Sequence, residues 1–385
     1  MGSIRQLHAR FLPHRRHLLN IAKFQNYSML RNTAAHIDLS ALRHNLEIIR
    51  AMAPNSGVVS VIKADAYGHG VSAAVRALAG TDIFAVSTPE EAVAVRESGW
   101  RGRLLSLEGF FDPEGFALAR ELQLELVVHQ REQLEFLRHH GGLEKGKLWL
   151  KIDTGMNRLG FRATDAEAAM AALEAIPGAG SPVLMTHFAC ADNAVHPLNK
   201  AQIECFQPLR QAWRGEVSMC NSAALINFPD THSDWIRPGI LLYGISPIPG
   251  QTGHALGLRP VMRLVTELIS IKLCKKGETI GYGASFSCPR DMTIGVAAIG
   301  YGDGYPRQLG NGTPVLVNGH AAELVGRVSM DMITIDLTGH PSASVGDSVC
   351  LWGGTLPVET VAERAGAIPY ELICGLTRRI RRVIN

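Results

Sequence analysis

Short apolar runs recur at regular intervals between residues 58 and 244. Most of the gaps between these runs have the spacing of amphipathic helices. Because strands that alternate with helices form parallel sheets, this pattern predicts eight βα units. Eight units within about 190 residues are typical of a (β/α)8 barrel, with a doubly wound open sheet as the alternative. The predicted strands are 58–63, 82–87, 103–108, 124–129, 147–152, 183–188, 217–222 and 235–244.

Two of the predicted helices have clear start signals. Thr88 is a candidate N-cap, and Pro89 suits the first helical position. Glu90 and Glu91 follow, where acidic side chains interact favourably with the positive end of the helix dipole. The pair Asp112–Pro113 repeats the signal. Both patterns predict helices that begin directly after a strand.

The sequence pattern changes after residue 246, where helical spacing mostly gives way to apolar stretches of strand character. Turn signals separate these stretches at Lys276–Gly277, Asn311–Gly312 and Asn318–Gly319. The two Asn-Gly pairs suit type I′ hairpins, in which both central residues need positive φ. The sequence therefore predicts a second domain that is mainly antiparallel β.

The predicted organisation has three parts. Residues 1–32 form an N-terminal extension that is expected to be disordered, residues 33–245 form the barrel, and residues 246–385 form the β domain. Residues 33–39 are an alternative part of the β domain. A length of 385 residues fits two domains at about 150 residues each.

Composition narrows the class of protein. The formal charge of +3 is too small to indicate a nucleic-acid partner. Seven cysteines form no CxxC pair, which favours free buried thiols in a reducing compartment and predicts a cytoplasmic protein. No apolar run has the roughly eighteen residues that span a bilayer. No zinc-ligand spacing occurs, so no metal is predicted.

Five predicted strands end in or carry polar side chains that point to one face, and barrel enzymes carry their catalytic groups at the carboxyl ends of the strands. Lys63 ends the first strand, and a lysine amine at an apolar strand end can act as a nucleophile toward a carbonyl group. The convergence of these positions predicts an active site at this face. The positions are Lys63, Lys151, His187, Asn221–Ser222 and Arg237.

The run Lys-Ala-Asp-Ala-Tyr-Gly-His-Gly at 63–70 is similar to the cofactor-lysine signature of the alanine racemase family, whose members use pyridoxal 5′-phosphate (PLP). The similarity extends over residues 35–385, through further motifs in the same order. These motifs are 151–160, 186–188, 221–224, 235–240, 281–283, 300–307 and 326–331. The long N-terminal extension departs from the family pattern.

The resemblance implies an enzyme that interconverts L- and D-alanine and supplies D-alanine for peptidoglycan. It implies that Lys63 holds PLP and acts as the base for one face of the substrate, with Tyr282 as the base for the other face. His187 is implied near the Tyr282 phenol. Arg237 is implied at the pyridine nitrogen, where an arginine that keeps its proton leaves that nitrogen unprotonated.

Further contacts are implied around the cofactor and the substrate. The phosphate is implied near Ser222 and the backbone N–H groups of Gly239 and Ile240. Arg158 is implied at a cofactor oxygen and at the substrate carboxylate, and the backbone N–H of Met330 is implied at the same carboxylate. The remaining implied residues are Tyr67, Asn221 and Tyr370 for the cofactor, Tyr301 for the substrate, and Lys151 as a carbamylated lysine that orients Arg158.

The resemblance also implies a homodimer in which the β domain of one subunit reaches the active site of the other. Three alternatives remain open at this stage: a racemase of broader substrate range, a PLP-dependent amino-acid decarboxylase of similar architecture, and a non-catalytic PLP-carrier protein. Arg237 argues against the decarboxylase, which generally presents an acid to the pyridine nitrogen. The β domain with Tyr282 argues against the carrier, which resembles the barrel alone.

Overall fold

The computed structural model describes residues 31–143, 147–179 and 181–385. The prediction of disorder for residues 1–32 therefore concerns a segment whose first 30 residues lie outside the described range. The first described elements are strand β1 (Ala34–Ile37) and helix α1 (Leu39–Met52). Helix α1 begins after Asp38 because its carboxylate accepts hydrogen bonds from the backbone N–H groups of Ser40 and Ala41.

Eight parallel strands close into a barrel, as predicted, so the open-sheet alternative is wrong. The barrel strands are β2 (Gly57–Val61), β3 (Ile83–Val86), β4 (Arg103–Ser106), β5 (Glu125–Val128), β6 (Leu148–Asp153), β8 (Val183–Met185), β9 (Val217–Ser218) and β10 (Trp235–Ile236), while the short strand β7 (Phe161–Arg162) pairs only with β6. Pairing of β10 with β2 closes the ring. Nearly all barrel-strand residues are buried, which explains their continuous apolar runs.

Helices connect most of the strands. They are α2 (Lys63–Tyr67), which is a short left-handed turn, and the right-handed helices α3 (Val71–Ala77), α4 (Pro89–Glu97), α5 (Pro113–Glu121), α6 (Arg131–His140), α7 (Ala166–Glu174), α8 (Pro197–Ala212) and α9 (Ser222–Asn227). The predicted starts of α4 and α5 are confirmed. The Asp112 carboxylate caps α5 by accepting from the Gly115 N–H at 2.7 Å. Thr88 occupies the predicted N-cap position of α4, but its side chain makes no capping hydrogen bond.

Most barrel strands are shorter than their predicted apolar runs, and β9 and β10 are shortened most. Strand β9 ends at Ser218, because Asn221 already caps helix α9 by accepting from the Ala224 N–H at 2.9 Å. Strand β10 ends at Ile236 rather than at residue 244. Pro238 has no N–H to continue a strand ladder, and Ile240–Tyr243 forms a 3-10 turn.

The C-terminal part is mainly antiparallel β, as predicted. Its strands are β11 (Met262–Cys274), β12 (Thr279–Ile280), β13 (Phe286–Ser287), β14 (Met292–Ala297), β15 (Pro314–Val317), β16 (His320–Leu324), β17 (Ile333–Asp336), β18 (Ser348–Trp352) and β19 (Arg381–Ile384). Six of them form a closed sheet, because β11 pairs with both β14 and β18. In order these strands are β14, β17, β16, β15, β18 and β11. Strand β1 lies between β11 and β19. Helices α10 (Val358–Ala365) and α11 (Pro369–Cys374) precede β19.

The two predicted Asn-Gly hairpins differ. Asn318 and Gly319 both have positive φ, 49° and 83°, and join β15 to β16, as a type I′ turn requires. Of the pair Asn311–Gly312 only the glycine has positive φ. That hairpin prediction is wrong because the Asn311 side chain accepts a hydrogen bond from the Gly326 N–H and so belongs to a different loop contact.

The cysteines agree with the expectation from the sequence only in part. All seven cysteines are free, but only Cys220, Cys274 and Cys288 are buried, so the expectation of buried thiols holds for part of the set. Within the described ranges, no helix combines the length and the apolarity that a membrane span requires.

Candidate active site

A cavity of about 810 Å³ lies at the carboxyl ends of the barrel strands. Its walls include Lys63 after β2, Lys151 in β6, His187 after β8 and Arg237 after β10. The volume falls within the range of about 300–1,000 Å³ that is usual for small-molecule and cofactor sites. Side chains that are far apart in the sequence therefore meet at one face, where barrel enzymes carry their chemistry.

The cavity brings together most of the residues singled out from the sequence. They are Lys63, Tyr67, Lys151, Arg158, His187, Asn221, Ser222, Arg237, Gly239, Ile240 and Tyr370. Tyr282, Tyr301 and Met330 do not line it and are exposed on the β domain, by 67%, 38% and 53%. The described chain thus assembles the cofactor side of the predicted site without the second predicted base.

Lys63 enters the cavity from an unusual piece of backbone. The four residues after it, Ala64–Tyr67, all have φ of 52–53°, which forms a left-handed turn. L-residues pay roughly 1–2 kcal/mol each for this conformation, so surrounding contacts must hold it. The turn brings Lys63 and Tyr67 to the same cavity wall.

Arg237 is buried, 4% exposed, and its position is fixed by several acceptors. Its Nη1 donates to Ser218 Oγ at 2.5 Å, and its Nη2 donates to the Thr186 carbonyl at 2.6 Å. Burial lowers the pKa of Arg237 to about 10, so the guanidinium keeps its charge near neutral pH. Within the described ranges the Arg237 Nε–H has no protein acceptor, and Arg237 lines the cavity.

His187 is the neutral partner of this arginine. Its Nδ1 lies 3.2 Å from Arg237 Nη2 and must accept, because a guanidinium only donates. The ring proton is therefore on Nε2. Burial, followed by the positive charges of Arg237 and Lys151, holds the pKa of His187 well below its usual value. An uncharged imidazole, whose Nε2–H has no partner among the described residues, thus lines the cavity.

Lys151 is buried among like charges and is only 7% exposed. Burial, then the charges of Arg237 and Arg158, lowers the pKa of Lys151 to about 8. Arg158 lies on a loop that Asp153 closes, since its carboxylate accepts from the Gly155 and Asn157 N–H groups at 3.0 Å. Because the pKa of Lys151 is lowered, its amine becomes neutral at mildly alkaline pH.

The other end of the cavity is lined by neutral hydrogen-bond donors. Ser222 Oγ accepts from the Gly239 N–H at 2.9 Å, which leaves the Ser222 hydroxyl proton free to donate, although it occupies the Gly239 N–H. Burial raises the pKa of Tyr67 and of Tyr370, so both phenols keep their protons. Any side chain at Gly239 would collide with Tyr67, because its Cβ would lie 2.4 Å from the hydroxyl oxygen.

Several wall residues were missed by the sequence analysis. Helices α10 and α11 of the β domain contribute Glu359, Glu363 and Cys374, and barrel loops contribute Glu108 and Asp192. They carry no local signal, since each enters the wall through contacts between distant parts of the chain. Tyr370, on the same helix as Cys374, was found only because the family resemblance includes it.

A (β/α)8 barrel with a lysine at the end of its first strand, a cationic strand-end cavity and a following β domain defines a class of two-domain barrel enzymes. Models of the alanine racemase N-terminal domain and the alanine racemase C-terminal domain match residues 37–247 and 261–384. The chain therefore belongs to the alanine racemase family, and the prediction that it is an isomerase of this family is confirmed.

Individual relatives cover both domains. The chain is 49% identical over 353 residues to the alanine racemase of Nitrosococcus oceani, a match that covers 91% of this chain and 99% of the relative. The biosynthetic alanine racemase of Pseudomonas aeruginosa is 44% identical with a TM-score of 0.90, over 92% of this chain and 100% of that one. The Bartonella henselae alanine racemase, solved with covalently bound pyridoxal phosphate, is 27% identical with a TM-score of 0.83. This match covers 92% of this chain and 99% of that one.

Proposed function

We propose that the protein racemises alanine with PLP as its cofactor. The observation that carries the proposal is the convergence of Lys63, Arg237 and Ser222 on one cavity in a chain of this family. Relatives named alanine racemase support alanine as the substrate, and one of them has covalently bound pyridoxal phosphate. Supply of D-alanine for peptidoglycan in the cytoplasm is part of the same proposal.

The donor set of the cavity fits PLP. Lys63 offers an amine for its carbonyl group, and Tyr67, Ser222 and Tyr370 offer neutral hydroxyl donors for its phosphate. The Arg237 Nε–H offers a donor for the pyridine nitrogen. Gly239 keeps the backbone clear beside the Tyr67 hydroxyl. These donors match the three polar parts of the cofactor without any metal ion.

When bound, PLP withdraws electrons from the substrate and makes the proton on Cα removable. Lys63 Nζ would move that proton on one face, and Tyr282 Oη on the other. Arg158 would bind the substrate carboxylate and Arg237 would hold the cofactor ring in place. His187, neutral and with its proton on Nε2, would donate to the Tyr282 phenolate oxygen and stabilise it.

A homodimer completes this proposal. Tyr282, Tyr301 and Met330 are exposed and lie outside the cavity of their own chain, which supports their entry into the cavity of a partner subunit. The Met330 backbone N–H and Tyr301 would then contact the substrate from the partner's side. Lys63, Arg158, His187 and Arg237 would come from the barrel of the other subunit.

The test uses purified protein with PLP and a panel of L-amino acids, with the D-product measured by chiral chromatography. We expect alanine to be racemised fastest and Lys63→Ala to be inactive. Borohydride reduction and peptide mapping should place the trapped cofactor on Lys63. Faster turnover of another amino acid would support the broader racemase, release of carbon dioxide would support the decarboxylase, and trapping at a different lysine would contradict the site.

A further inference from the structure

The left-handed turn at Ala64–Tyr67 needs contacts that hold each of its ends. Backbone hydrogen bonds and three side chains hold the far end. Asp65 Oδ1 accepts from the Val71 N–H at 2.8 Å, and Arg382 Nε donates to the Gly68 carbonyl at 3.2 Å. His69 Nδ1 donates to the Tyr67 carbonyl at 2.8 Å. The Arg382 and His69 contacts act on Gly68 and Tyr67, and the Asp65 carboxylate ties the turn to Val71 beyond it.

The end next to Lys63 is held by a carboxylate from another element. Glu91 Oε1 accepts from the Ala64 N–H at 2.8 Å, and Glu91 Oε2 accepts from the Ser87 N–H at 2.8 Å. Ala64 directly follows Lys63, and Ser87 directly follows strand β3. One side chain in the first turn of helix α4 therefore ties the residue after Lys63 to the end of the neighbouring barrel strand.

The chemistry of these two contacts favours a carboxylate. Both partners of Glu91 are N–H donors, and an ionised carboxylate offers two acceptor oxygens and no donor. Hydrogen bonds to a charged acceptor are stronger than those between neutral groups. A glutamine at this position would present an amide N–H₂ to one of the two N–H groups, so one contact would be lost.

We propose that Glu91 is a positioning residue that fixes the start of the left-handed turn and so sets the direction in which Lys63 enters the cavity. Glu91 does not line the cavity, which means that it acts through Ala64 and not on a bound molecule. The inference deepens the proposed function, because it rests on Lys63 as the cofactor lysine. This positioning role differs from a simple interaction of Glu91 with the dipole of helix α4, which Glu90 would share.

The experiment compares Glu91→Gln with Glu90→Gln in the holoenzyme. The two variants remove the same charge from the first turn of the same helix, and Glu90 is exposed. Hydrogen–deuterium exchange of the peptide spanning residues 62–70 should increase in Glu91→Gln and stay at the wild-type level in Glu90→Gln. The kcat for alanine should fall about ten- to a hundredfold in Glu91→Gln, with KM little changed.

A second variant, Glu91→Asp, keeps the charge but is one methylene too short to reach both N–H groups, and it should act in the same direction. Wild-type exchange of residues 62–70 in both Glu91 variants would overturn the proposal, as would an equal effect of Glu90→Gln. If the wild-type protein did not racemise alanine, the proposed function would fail. The exchange comparison would still decide whether Glu91 holds the turn.

Discussion

At the scale of single residues, the cavity separates groups that carry charge from groups that do not. Burial lowers the pKa of Arg237 only to about 10, and this leaves it charged. The same surroundings hold the pKa of His187 well below its usual value and leave it neutral. The hydrogen bond between them fixes the direction of donation. A neutral Nε2–H facing the cavity is the state in which His187 can support a tyrosine base.

Tyr282→Phe tests the second base. The variant lacks the phenol oxygen but keeps the ring, so it should retain PLP and lose racemisation by about 10²–10⁴-fold, the usual contribution of one acid–base group. Exchange of the Cα proton of L-alanine with deuterium should fall more than exchange from D-alanine, because Tyr282 is proposed to serve the L enantiomer. Exchange from D-alanine is the internal control. Equal loss from both enantiomers would contradict the assignment.

Lys151 gives a pH-dependent prediction. Only a neutral amine reacts with carbon dioxide, and the lowered pKa of about 8 makes the neutral fraction of Lys151 rise as the pH increases through 8. Carbon-13 NMR with labelled bicarbonate should show a carbamate signal that grows from pH 7 to pH 9. Lys151→Ala should remove the signal, and Lys147→Ala should not. A signal that persisted without Lys151 would rule out this site.

The sequence identified the side chains of the cavity better than the contacts that hold them in place. Lys63 stands at the end of an apolar run and Arg237 directly follows strand β10, and a closed barrel brings the carboxyl ends of its strands to one face. Glu91 was interpreted as a helix-dipole residue, which accounts for its place in α4 but not for its contact with Ala64. That contact depends on the left-handed conformation of residues 64–67, and no local pattern of Ala-Asp-Ala-Tyr indicates it.

At the scale of elements, the left-handed turn is the part of the barrel that departs most from ordinary geometry. Glycine adopts positive φ without the penalty that a Cβ imposes. Ala64 is exposed, so Ala64→Gly removes little packing and should leave the free energy of unfolding unchanged or raise it by up to ~1 kcal/mol. The measurement is thermal or denaturant unfolding of the purified variant.

Ala201→Gly is the matched control for this element. Ala201 is also exposed, but it lies inside the right-handed helix α8, where glycine should cost about 1 kcal/mol. Opposite or unequal effects of the two substitutions would reflect the backbone at each position. A loss of stability in Ala64→Gly as large as that in Ala201→Gly would show that the left-handed turn is not strained.

Element boundaries were predictable where local chemistry decides them. Proline and an acid cap set the start of α5, and two residues with positive φ set the turn at Asn318–Gly319. The ends of β9 and β10 were not predictable from apolar runs alone. Their apolar residues continue into a short helix whose first four residues are buried and into a fully buried 3-10 turn, and periodicity does not separate such segments from strands.

At the scale of the whole molecule, two parts of the β domain have different relations to the barrel. Helices α10 and α11 close the cavity of their own chain, where Glu359 accepts from the backbone N–H groups of Ser246 and Gly253. The segments with Tyr282 and Met330 are exposed. Local sequence patterns assign neither relation, since both depend on contacts between distant residues, and only the family resemblance implied that the β domain reaches a partner's site. The domain boundaries at residues 33, 245 and 246 remain predictions.

Complementation tests whether each active site is shared between subunits. Lys63→Ala and Tyr282→Phe should each be nearly inactive alone. In a mixed dimer of a head-to-tail pair, one site carries both substitutions and the other carries neither, so activity should return in part. A random mixture of equal amounts should place about half of the dimers in this state and restore roughly a quarter of the wild-type activity.

The mixed dimer must be shown to form, which tags of two kinds on the two variants allow by sequential affinity purification. Because Tyr282 lies outside the cavity of its own chain, we expect the doubly tagged fraction to carry the recovered activity. Doubly tagged protein without activity would mean that each chain brings its own Tyr282 to its own Lys63. Such a result would require the hairpin of β12 and β13 to move toward the barrel of the same chain.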